Sequence, residues 1–405
     1  MTVAALLDRT SPRRLVAGLA VTQIVSWGVL YYAFSVVLLP MQHTLGWSRS
    51  TLVGGFTVAV VVSGLFARTV GRFLDADHGR RVMTGGSLVG TTAVLAWSQT
   101  RSVALYYATF LAIGVAMACV LYEPAFTVLA KHTAPHHRRA ITSVTLVAGL
   151  ASFVFQPFAS VLASHLGWRH ALLILGALVG VVTVPVHALV LPTAPHDRRT
   201  SSTARVRPGG ASDPRFWALT AAFVGVTTAS MATGVLLVAY LVDGGWPLGR
   251  AAFAAGTLGA MQLPGRLAFG PLTARIPRPT LVAILFCTPA AGIIVLAVGG
   301  RSWTVWPAVG LLGFGQGTTT LLRATLFVDL YGTAHIGALN GLSGTPITCA
   351  RALAPLGASV LVADTGGYTT GFIALVACSV LAAIVAARVL HGPATVPAPT
   401  SAENR

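Results

Sequence analysis

The sequence predicts an all-α membrane protein with twelve transmembrane helices, arranged as two six-helix bundles related by a pseudo-twofold axis along the membrane normal. Three observations carry this. Of 405 residues, 55% are hydrophobic and 9% charged, against roughly a quarter charged in a soluble domain. The basic residues gather on alternate sides of the apolar runs. The second half of the chain also repeats the first at an offset of about 199 residues.

A helix needs about 20 apolar residues to cross about 30 Å of hydrocarbon. Runs of that kind fall at about 15–40, 50–70, 81–98, 103–130, 140–163, 169–191, 216–241, 250–273, 278–299, 303–330, 336–361 and 370–390. The repeat ties the two sets of six together. Gly46-Trp47 returns as Gly245-Trp246, Gly71 as Gly270, Gly114 as Gly313 and Gly167 as Gly366. Pro157 to Leu162 is answered by Pro355 to Leu361 with one residue inserted. The expected units are an N-terminal bundle over 1–191, a linker over 192–214 rich in Pro, Ser, Thr, Gly and Arg, a C-terminal bundle over 215–391, and a tail over 392–405. One chain holds both halves, so a monomer is expected.

A net charge of +17 could suggest nucleic acid, but the position of the cations decides otherwise. Arg9, Arg13, Arg14, Arg68, Arg72, Lys131, Arg138, Arg139, Arg198, Arg199 and Arg388 fall on the side of the termini, whereas the opposite loops keep Arg49, Arg101, Arg169, Arg250 and Arg301. The positive-inside rule then puts both termini in the cytoplasm of a protein of the cell membrane, the inner membrane in a bacterium. The excess serves topology and contact with anionic lipid, with no nucleic-acid partner. Met1 to Arg14 is short and basic, and the full-length span after it has no small-residue cleavage site, so no removable signal peptide is expected. Cys119, Cys287, Cys349 and Cys378 lie inside spans without metal-type spacing and read as packing residues. No Gly-Lys-Ser/Thr phosphate loop and no metal-type His pair within a span occurs, so neither an enzyme nor a bound cofactor is expected. His132, His136 and His137, beside Arg138 and Arg139, read as a solvated basic loop.

Between the second and third spans lies Gly71-Arg72-Phe73-Leu74-Asp75-Ala76-Asp77-His78-Gly79-Arg80-Arg81. Its glycines permit a tight turn and its charges stay solvated, so the chain can leave hydrocarbon and re-enter. The pattern resembles the signature loop of the major facilitator superfamily, and the resemblance extends over the whole chain. It implies alternating access, with Gly71, Asp75, Gly79, Arg80 and Arg81 as a gate. Asp75 would cap the start of the eleventh helix, near Ala334–Asn340, when the carrier is open outward. A carboxylate suits unpaired N–H groups at a helix start. The alternative is a solvated turn that only marks the cytoplasmic face. The second copy of the loop, Gly270 to Arg278, has no acids and keeps Arg275 and Arg278, so any latch is asymmetric.

Four ionisable residues lie deep in spans: Glu123, Arg266, Arg323 and Arg351. Each costs about 2.5–3.5 kcal/mol at bilayer depth even on a lenient scale, which makes each a functional candidate. Asp329 falls at the inner end of the tenth span, within reach of water. Glu123 precedes Pro124, which deprives the carbonyl one turn back of its donor. Arg323 sits at nearly the same depth in the repeat-related tenth span. Both helices face the cavity in the superfamily, so a Glu123–Arg323 pair is expected, either as substrate contact or as a gate ion pair.

Arg266 stands four residues before the loop glycine Gly270. That spacing resembles the substrate-binding arginine of monocarboxylate transporters and of the related bacterial oxalate–formate antiporters, whose second cation comes from the eleventh helix, where Arg351 lies. Two guanidinium groups could hold a carboxylate; packing roles are the alternative. The acid one turn before the arginine in the monocarboxylate branch is Gln262 here, which leaves Glu123 as the deep carboxylate able to accept a coupling proton. In the first span Gln23, Trp27 and Tyr31 share a helical face, which lines a pocket or packs at the interface. The function expected is a secondary transporter for a small organic anion. Efflux of drug-like compounds is the runner-up, weakened because the fifth span, Ala148 to Pro157, lacks the Gly-Pro-x-x-Gly-Gly run of drug antiporters. A transport-dead sensor on the same fold is the third reading.

Overall fold

The computed structural model describes residues 12–133, 135–192, 212–299, 303–333 and 336–391. The expected linker and tail lie almost wholly outside the described residues. These residues form fifteen α-helices and one π-helical stretch, with no strand among them. In order they are α1 (Pro12–Ser26), the π stretch (Trp27–Tyr32), α2 (Ala33–Leu45), α3 (Arg49–Asp75), α4 (Gly79–Ser98), α5 (Val103–Val120), α6 (Tyr122–His132), α7 (His137–Ala148) and α8 (Ala151–Val190). Then come α9 (Pro214–Asp243), α10 (Leu248–Ala260), α11 (Gln262–Arg275), α12 (Arg278–Gly299), α13 (Val305–Tyr331), α14 (Ile336–Thr365) and α15 (Tyr368–His391).

Eight helical stretches among the described residues are long and apolar enough to cross a membrane. One of them, His137–Val190, holds two of the expected spans, and Gly167 breaks its helix at φ 78. The expected spans at 81–98, 250–273 and 303–330 are helical but less apolar, since they carry glycines and cavity-facing polar residues such as Gln316 and Arg323.

The repeat has a physical basis at the matched glycines. Gly46 and Gly245 have φ of 68 and 86, and Gly167 and Gly366 have 78 and 67, all left-handed conformations that a Cβ resists. A Cβ on Gly114 would stand 2.5 Å from the Ala59 carbonyl oxygen, and one on Gly313 would stand 2.5 Å from that of Leu258. Ala59 and Leu258 are themselves related by the repeat offset, so the same close helix crossing is built twice.

Packing separates two groups. Helices α1 to α8 pack among themselves, as do α9 to α15, and the groups meet chiefly where α3 lies on α14, with smaller contacts of α6 on α14 and α7 on α11. At the end carrying the Asp75 loop, one apolar core runs through both groups, from Leu74, Phe126 and Val144 to Phe327, Ile336 and Leu339. Toward the other end each group has its own core, around Phe34, Trp97 and Phe110 in one and Leu237, Leu296 and Leu312 in the other. The halves thus share a core at the Asp75 end and have separate cores beyond it.

Candidate functional site

A cavity of about 90 Å³ lies between the two groups. One wall comes from Trp27, Tyr122, Glu123 and Phe126, the other from residues that include Phe223, Ser230, Gln316, Thr319, Arg323 and Arg351. Local chain chemistry explains how Glu123 gets there. Pro124 has no N–H for the Val120 carbonyl, and the chain breaks at Leu121, whose ψ is −157. Gln23 fills the vacancy, its Nε2 donating to Val120 O at 2.5 Å and to Leu121 O at 3.4 Å. The break restarts the helix as α6 with Glu123 in its first turn, where the helix dipole favours a carboxylate. Gln23 is therefore a buried support and does not line the cavity.

Arg323 Nη1 donates to Glu123 Oε1 at 3.1 Å, joining α13 to α6 across the seam. The pair neutralises itself. Arg351 lines the same cavity, and among the described residues it has no hydrogen-bond or ion-pair partner. Arg266 is placed differently. It is 5% exposed, donates from Nη1 to the Thr145 carbonyl at 2.7 Å and from Nη2 to Gln262 Oε1 at 3.0 Å, and leaves Nε unpaired. Gln262 Nε2 in turn donates to Gln316 Oε1 at 2.8 Å, so Arg266 reaches the cavity wall through two amides. Trp27 lines the cavity from the π stretch and packs 4.8 Å from Tyr122. Its neighbour Tyr31 packs on Trp27, Tyr32 and Phe56, each at 5.2 Å, and is not itself among the lining residues.

The gate expectation divides in the same way. Asp75 accepts from Gly337 N at 2.8 Å and Ala338 N at 2.7 Å, capping α14 as the resemblance implied. Residues 334 and 335, part of the expected contact, lie outside the described residues. Gly71 makes the approach possible, since a Cβ there would stand 1.9 Å from Gly337 O. Gly79 packs beside Val128 in its own half, and Arg80 and Arg81 make no hydrogen bond or ion pair among the described residues.

The solvated-loop reading of the histidines needs correction. Arg138 Nη2 pairs with Asp329 Oδ2 at 2.6 Å across the seam, His137 approaches the same carboxylate at 3.5 Å, and Arg278 also binds it. Asp329 is therefore a second clasp, joined to the asymmetric loop copy. In the sequence its closeness to water concealed this role; the visible signal was an acid lying opposite a basic loop. Replacing Asp75 by Asn should remove one strong acceptor from the start of α14. We expect transport several-fold slower with insertion intact, read by initial rates in vesicles of matched protein content.

The family profile described as Major Facilitator Superfamily matches residues 15–345. The chain belongs to the major facilitator superfamily. It is a multi-pass membrane transporter and not an enzyme. Monocarboxylate transporter 13 of Bos taurus is 27% identical over 368 residues, covering 86% of this chain and 80% of that protein. The uncharacterised MFS-type transporter YcxA of Bacillus subtilis (strain 168) is 23% identical over 379 residues, with 89% and 91% covered. Among solved structures, the E. coli fucose:proton symporter FucP superposes with TM-score 0.74 at 14% identity, over 94% of this chain and 99% of that one. A bacterial homologue of the iron transporter ferroportin, in an outward-facing state with soaked iron, gives 0.72 at 18%, over 93% and 99%. These structures share the superfamily's fold with this chain.

Proposed function

We propose that the protein is a secondary active transporter that carries a small organic anion, a carboxylate, by alternating access. The supporting observation is Arg351. Among the described residues it lines the cavity without a hydrogen-bond or ion-pair partner, while Glu123 and Arg323 neutralise each other there, so the site is left in need of an anion. Arg266 adds a second cation behind the wall. A guanidinium binds a carboxylate through two parallel hydrogen bonds, an interaction strengthened where water is scarce. Similarity to the monocarboxylate transporters points the same way. Glu123, released from Arg323 by a competing carboxylate, is the group that would accept a coupling proton. The reading includes twelve crossings, with the less apolar helices lining the pathway, both termini cytoplasmic, and this conformation closed on the cytoplasmic side by Asp75 and Asp329.

The test is counterflow in proteoliposomes with lactate, pyruvate, benzoate and oxalate, set against glucose and tetraphenylphosphonium. Carboxylates should exchange and the neutral and cationic compounds should not. Exchange of glucose or tetraphenylphosphonium with no carboxylate exchange would overturn the anion reading.

A further inference from the structure

From behind the cavity wall, Arg266 makes a backbone contact across the seam. Its Nη1 donates to the carbonyl of Thr145, the same oxygen that accepts the Gly149 amide at 2.8 Å. Helix α7 ends there, with Gly149 as its C-cap. The Thr145 carbonyl keeps that intrahelical donor and offers its second lone pair to Arg266, at a helix end where the negative end of the dipole favours a cation. The guanidinium supplying that cation comes from α11, in the other half. Gly149 leaves the space it needs, because a Cβ at 149 would stand 2.1 Å from Nη1. Among the described residues Arg266 has no acidic partner, so its charge is met only by neutral groups. The cavity lies one side chain away, since Tyr122 and Gln316 line it while standing beside Arg266 and its partner Gln262.

We propose that Arg266 is a clasp that the substrate undoes. In this conformation its guanidinium holds the end of α7 across the α7–α11 seam. A carboxylate in the cavity is the stronger acceptor, draws the guanidinium away from Thr145, and so frees the seam to open at the Asp75 end. This rests on the organic-anion reading of the cavity. Its consequence is kinetic. The empty carrier reorients slowly because the clasp is intact, and the loaded one reorients fast, so exchange outruns net flux.

Gly149→Ala tests this without altering any charge, because the methyl group occupies the place of Nη1. Using the fastest-exchanging of the four carboxylates above, wild-type protein should exchange at least about fivefold faster than it carries out net efflux. Gly149→Ala should bring the ratio close to one and lower the half-saturating concentration, since the anion no longer competes with Thr145. A second measurement covers the case in which Gly149→Ala does not fold. Ala148→Cys, at a position 3% exposed next to Gly149, should be labelled several-fold faster by a maleimide when the carboxylate is saturating, as read by peptide mass to separate it from the native cysteines. Intact, Arg351-dependent exchange with an unchanged ratio in Gly149→Ala, or with anion-independent labelling at 148, overturns the clasp and leaves the transport reading standing. Absence of all carboxylate exchange in the wild type overturns both.

Discussion

Arg351→Gln should reduce carboxylate counterflow by roughly 10- to 100-fold, the range expected when a charge-assisted hydrogen bond of about 1.5–3 kcal/mol is lost. The reduction should appear in both half-saturation and maximal rate, because on this reading the cation meets the substrate directly, and among the described residues no carboxylate forms an ion pair with it. Arg351→Lys should recover part of the loss. A lysine keeps the charge but cannot present two parallel N–H groups. Folding should be unaffected, since nothing in the described structure bonds to the Arg351 side chain. Wild-type counterflow in Arg351→Gln would remove the observation on which the substrate reading rests.

Glu123→Gln should have a large effect on stability as well as on transport. The variant leaves Arg323, whose side chain is 15% exposed, without its counter-charge. Breaking one side of a buried pair costs about 3–5 kcal/mol, and the partial exposure of Glu123 puts the expectation near the lower end, about 3 kcal/mol. The double variant Glu123→Gln/Arg323→Gln should regain most of that loss, because two neutral side chains need no mutual compensation. Thermal unfolding in detergent reads the cycle. If the double variant is less stable than either single variant, the pair is not coupled as described. Transport should stay impaired in the double variant even where stability returns, since Glu123 is the cavity's only carboxylate among the described residues.

The parts of the site that could be read in advance share one property: each depends on residues whose chemistry has a single good solution. Glu123 and Arg323 are opposite charges at matching depth on repeat-related helices, and hydrocarbon gives them little choice but to meet. The Asp75 cap was implied by the resemblance, and the largely buried carboxylate takes the N–H groups of Gly337 and Ala338 at a helix start. Arg266 was harder. Its main partner is a backbone carbonyl on another helix, 121 residues away, and every residue has a carbonyl. Tyr31 stood between lining and packing for a related reason. Even helical spacing from Gln23 ignores the π stretch at Trp27–Tyr32, and here Trp27 faces the cavity while Tyr31 does not. Asp329 looked like a solvated end residue until packing set Arg138 and Arg278 against it.

By itself, then, the sequence determined the solvent, the repeat and the short set of ions that must find partners, because hydropathy, left-handed glycines and buried charges are properties of residues taken singly or in register. Only the tertiary structure decided which of those ions remains unpaired. Pairing depends on where helices cross and which carbonyls they leave open. That geometry gives Glu123 to Arg323 and Thr145 to Arg266, and leaves Arg351 facing the cavity alone.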